Sequence, residues 1–103
     1  MNNKDIIDLI YTIKERPAMY IGQNSISVLR GFLDGWLYAN SNELLSNCTI
    51  LEDFEKWLQN VYKMDNKATW NRIILCYSQD ESKALESFFN LFDVFIVKYK
   101  KNY

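Results

Sequence analysis

Ala68-Thr69-Trp70-Asn71-Arg72-Ile73-Ile74-Leu75-Cys76-Tyr77-Ser78 is the stretch on which the fold class turns. Its apolar run, 73–77, has the length of a buried strand, which would make the chain a mixed α and β protein. Against that, Trp70, Ile73, Ile74 and Tyr77 fall at i, i+3, i+4 and i+7, one face of an α-helix. No second segment reads as a strand that could pair with it. The stretch therefore predicts a helix.

Working outward, the other segments agree. Lys4 to Glu15 places Ile6, Leu9, Ile10 and Ile13 on one face, and Pro17 ends it by pushing Arg16 out of the α region. Ser25 is an N-cap for a second helix whose core face is Leu29, Phe32, Leu33, Trp36 and Leu37. Gly31 and Gly35 would each cost about 1 kcal/mol against Ala in an exposed helix, so their spacing predicts close approach of another backbone. Asn40-Ser41-Asn42 is a break, with a short turn through Glu43-Leu44-Leu45 after it. Thr49 and Glu52 have capping-box spacing and open a helix to about Met64, with Leu51, Phe54, Trp57, Leu58 and Val61 inward. Asp65-Asn66-Lys67 reads as a turn. A last helix from Ser82 to about Val97 buries Leu85, Phe88, Phe89, Phe92, Phe95 and Ile96, with acids at its start and Lys98, Lys100 and Lys101 at its end. The expectation is an all-α fold, a single compact globule of about five helices spanning 1–103.

Composition narrows the function. The 103 residues are 49% apolar and 24% charged with a net charge of −1, which excludes a disordered chain. There is no histidine, so Ser-His-Asp and Cys-His catalysis and His-containing zinc sites are closed. Cys48 and Cys76 are the only thiols, expected to be reduced and buried. Gly22, Gly31 and Gly35 are the only glycines, and they form no phosphate loop. The sequence implies neither cofactor nor metal, and no enzyme. The start Met1-Asn2-Asn3-Lys4-Asp5 has no apolar leader, and no run approaches a membrane span, so a cytoplasmic location is expected. Without Lys98, Lys100 and Lys101 the body carries nine bases against 13 acids, a bias that suits a basic protein partner better than nucleic acid.

One segment has the look of a signature: Arg16-Pro17-Ala18-Met19-Tyr20-Ile21-Gly22. It reads as a structural corner between two helices. Pro17 stops the first, Gly22 permits a tight turn at positive φ, and Ser25 starts the next. Some of Met19, Tyr20 and Ile21 should plug into the core, and Arg16 should bind carbonyls or a carboxylate nearby. The heptapeptide is similar to the Arg-Pro-Gly-Met-Tyr-Ile-Gly stretch of gyrase-type ATPases. Their Glu base and Asn metal ligand have no counterpart in 29–36, however, and their Asp-x-Gly-x-Gly motif is missing.

A second resemblance covers nearly the whole chain. The corner is followed by Ser25-x-x-x-Leu29-x-x-Phe32-Leu33-x-Gly35-Trp36, Phe54-x-x-Trp57, Trp70-x-x-Ile73-Ile74 and Phe88-Phe89-x-Leu91-Phe92-x-x-Phe95. This order resembles a family of small bacterial helical proteins found beside polymorphic toxins, including immunity proteins of contact-dependent growth inhibition systems. The resemblance implies a cytoplasmic antitoxin, a monomer that binds a cognate toxin C-terminal domain, often a ribonuclease, one to one.

For such an inhibitor, acids that mimic phosphate would raise affinity and on-rate for a basic nuclease site. The candidates are Glu43, Glu52, Asp53 and Glu55, and Asp80 with Glu81, although acids at helix starts also serve as dipole and capping groups. Tyr38 and Tyr62 are the candidate exposed rings, while Trp36, Trp57 and Trp70 fall on core faces. The alternative is a self-associating helical regulatory module seated through the Gly31, Gly35 and Ala39 stripe, unless that stripe is packed within the monomer.

Overall fold

A computed structural model describes residues 3–40 and 49–101. It holds six α-helices and no strand among those residues: α1 (Asn3–Glu15), α2 (Pro17–Ile21), α3 (Ile26–Ala39), α4 (Ile50–Val61), α5 (Trp70–Cys76) and α6 (Glu81–Lys101). The fold is all-α. The deciding stretch forms α5, with Trp70, Ile73 and Ile74 buried as the helical spacing requires. Tyr77 is the exception at 61% exposed, because it lies past the end of the helix and stacks on Tyr62 instead of entering the core.

The core is built on α6. Phe88 and Phe92 are fully buried, and Leu85, Phe89, Phe95 and Ile96 join them as the periodicity predicts. Phe54 of α4 sits within 5.4–5.5 Å of the rings of Phe88, Phe92 and Phe95, mostly edge to face, the arrangement that opposes positive ring edges to negative faces. Leu29 and Leu33 of α3 and Ile6, Ile10 and Ile13 of α1 close the remaining sides. Trp36 and Trp57 are half-buried against this core and Trp70 is buried in it. Among the described residues no helix is long and apolar enough to cross a membrane.

Pro17 both ends one helix and begins another. Its missing N–H costs nothing at the first position of α2, which adds a sixth helix to the expected five. Gly22 then takes φ +89 and donates its N–H to the Ala18 carbonyl, the positive φ expected of it. Ser25 caps α3 by accepting from the Val28 amide. The side chains of the corner depart from expectation. Met19 is 69% exposed, Tyr20 is exposed, and only Ile21 packs against the core. Arg16 is exposed and has no side-chain partner among the described residues.

Three further expectations are corrected. Gly31 and Gly35 are exposed, and a Cβ built on either would meet nothing within 4 Å, so the stripe with Ala39 faces solvent and not a neighbouring backbone. Cys76 is exposed, because α5 turns its other side to the core, while Cys48 and the turn 43–45 lie outside the described residues. The capping box does not form. Thr49 Oγ1 lies 3.2 Å from Asp53 Oδ2, and the Thr49 and Ile50 amides instead donate to Asn3 Oδ1 at 2.9 and 3.0 Å. Asn3 Nδ2 also donates to the Tyr99 hydroxyl at 3.1 Å. A single amide from α1 thus serves the start of α4 and the end of α6.

α4 stops at Val61, three residues short of Met64, and Val61 is half exposed there. The reason is a Schellman closure: the Met64 amide donates to Gln59 O at 2.8 Å and the Lys63 amide to Asn60 O at 3.4 Å. Lys63 stands at the left-handed position with φ 54, where glycine or asparagine is usual. Lys63→Gly is expected to raise stability by about 0.5–1 kcal/mol, the left-handed cost of a side chain less the freedom glycine adds to the unfolded state. Urea denaturation checks it, and an unchanged midpoint would mean that this residue carries no strain.

Candidate functional site

The acids proposed as a docking cluster do not form one surface. Glu52 is exposed on α4, Asp53 is turned to Thr49, and Glu43 lies outside the described residues. Glu55 points toward α5, where Oε1 accepts from the Trp70 amide at 2.9 Å and lies 3.9 Å from an Arg30 nitrogen. It thus supplies an acceptor for the first turn of α5, whose own cap residue, Thr69, makes no side-chain cap bond. Arg30 completes this junction. Its guanidinium pairs with Asp34, donates to Asn71 at 3.1 Å and lies over the Trp70 ring at 5.3 Å.

Asp80 and Glu81 are likewise engaged. Asp80 Oδ1 accepts from the Lys83 amide and so caps α6. Glu81 reaches back to α3: Oε1 accepts from the Ser25 hydroxyl and the Ser27 amide, and Oε2 from the Ser27 hydroxyl, all within 2.8–2.9 Å. Donation from the Ser27 amide, then from the two hydroxyls, holds the Glu81 carboxyl below the ordinary range. Each of these acids sits at a helix start because that is where amides lack partners within the helix.

Beside this clasp lies an open groove of about 730 Å³. Pro17, Tyr77, Leu85 and Phe89 give it apolar walls, and Asn24, Ser78, Gln79, Ser82, Ser87 and Asn90 line it with neutral donors and acceptors. Its charges are paired: Lys83 with Glu86 at 3.4 Å, and Lys14 with Asp93 at 2.6 Å. Burial alone would raise Asp93, but bonds from Lys14 and Tyr11, with the Lys14 charge, outweigh it and hold the carboxyl low. Tyr11 is pushed up to about 12, first by burial and then by its bond to Asp93. Such a groove can accept chain or side chains by shape and hydrogen bonding, without strong electrostatic preference.

Of the candidate rings, Tyr38 is 84% exposed at the end of α3. Tyr62 is half-buried and stacks on Tyr77 with centroids 4.7 Å apart and planes at 26°. Tyr77 belongs to both the stack and the groove wall and is the better anchor, since stacking holds its ring before any partner arrives. Sequence reasoning placed it in the core through the i+7 match. Lys56, Lys63, Lys67 and Arg72 were also passed over; all are exposed and without a side-chain partner among the described residues. The local charge count of 56–79, four bases against Asp65, was the signal for them.

Comparison with protein-family models, with curated proteins and with solved structures finds no match to this chain.

Proposed function

We propose that this protein is an immunity-type inhibitor, which binds a bacterial toxin domain one to one and blocks it without chemistry of its own. The observation that carries the reading is Tyr77, an exposed ring held by Tyr62 at the lip of an open groove. Rigid aromatic anchors beside shallow, neutral polar surface are what protein interfaces use, since the ring loses little freedom on burial. The motif order described above points the same way and favours a nuclease as target. Co-expression with the toxin domain encoded upstream of the gene tests it. The expected result is a stable 1:1 complex on size exclusion that abolishes toxin activity, with Tyr77→Ala weakening binding at least about tenfold. Failure of the two chains to co-purify would remove the reading.

The exposure of Gly31, Gly35 and Ala39 supports a second reading, self-association through α3, because a small-residue face lets a second helix approach closely. Light scattering separates the two: a dimer mass that Gly35→Leu reduces to a monomer favours the module.

A further inference from the structure

The charges this fold leaves free are not those its composition favours. Glu15 and Glu52 alone of the described acids lack a partner among the described residues; apart from Asp5, which is also engaged, the others pair with bases or accept from hydroxyls and backbone amides. The bases run the other way. Lys56, Lys63, Lys67 and Arg72 follow one another through α4, the connecting turn and α5, all exposed, with no partner among the described residues. The one acid in 56–79, Asp65, is occupied in accepting from the Lys67 amide at 2.8 Å. One of these bases, Lys63, holds a left-handed backbone position that an uncharged glycine would occupy with less strain. The same α4–turn–α5 stretch carries the Tyr62–Tyr77 stack and the half-exposed Val61.

We infer that the α4–α5 end is a docking surface for an acidic segment of a partner protein, with Lys63, Lys67 and Arg72 facing its carboxylates and the tyrosine stack taking its apolar side chains. The occupant follows from charge complementarity: unpaired cations on a stretch that also exposes apolar side chains are neutralised by carboxylates interleaved with hydrophobic residues. Nucleic acid fits less well, because the whole chain carries −1 and its remaining surface would repel a phosphate backbone. The inference rests on the inhibitor reading only for who the partner is. It puts the contact on an acidic face of the toxin, and so away from a centre that holds phosphate.

NMR titration of the full chain with a short peptide of alternating Glu and Leu tests the surface without the toxin. Amide shifts should concentrate in 56–77 and fade with salt. Replacing Lys63, Lys67 and Arg72 by Gln should weaken binding about fivefold or more. Arg72→Gln alone, on an exposed face of α5, should weaken it measurably and guards against a folding effect in the triple variant. Shifts spread over every lysine-bearing surface, variants that bind like the wild type, or oligouridylate displacing the peptide from these residues would each overturn the proposal. Peptide binding focused here, with no complex formed by the toxin domain, would instead remove the inhibitor reading and leave the surface.

Discussion

Phe54→Ala is expected to cost about 3–5 kcal/mol, the range for emptying a fully buried aromatic site. Its ring touches Trp57 and Trp70 besides the three phenylalanines of α6, with centroids 5.4–6.2 Å away. Each neighbour would lose a packing face at once, and those neighbours belong to three helices that cannot all collapse into one cavity. Against a total stability of about 5–15 kcal/mol for a domain of this size, that loss approaches unfolding at physiological temperature. Calorimetry should show a melting temperature lower by roughly 15 °C or more, whereas Val94→Ala on the exposed side of α6 should leave it nearly unchanged. A small shift for Phe54→Ala would mean that the aromatic cluster is not the centre of the core.

Glu81→Gln is expected to lose about 1–3 kcal/mol at neutral pH, since it replaces charge-assisted bonds to Ser25 and Ser27 with neutral ones. The sign of its pH dependence follows from the lowered carboxyl. The folded protein holds this proton less tightly than the unfolded chain, so the contribution is present above the unfolded value of 4.5 and is lost as pH falls through the folded one. Denaturant midpoints from pH 7 to about pH 3 should therefore converge for wild type and variant. Parallel curves over that whole range would show that Glu81 does not carry this linkage.

The helices were legible because their apolar residues recur at helical spacing: every buried position assigned to α6 is buried. What escaped was everything set by a partner distant in sequence. Thr49 and Glu52 have the spacing of a capping box, yet an amide from α1 reaches the free N–H groups first. Gly31 and Gly35 signal either close packing or a bare face, and only the position of the neighbouring helices decides between them. The candidate acids were read as one patch because they are close along the chain. Residues one and two apart on a helix point to different sides, so Asp53 turns to Thr49 while Glu55 reaches the Trp70 amide. The free bases of α4 and α5 became visible by subtraction, once each acid had been assigned its partner.

Asn3 also bears on the order in which this chain acquires its structure. The acceptor for the first amides of α4 lies 46 and 47 residues earlier, and the same side chain is bound to a tyrosine 96 residues away. Helices ordinarily bring their caps with them and can flicker into existence alone. Here the chain must first close a loop of 46 residues, at an entropic cost paid before the cap contributes anything. The start of α4 is therefore a product of tertiary closure rather than a seed for it, and its native boundary belongs to the late part of folding.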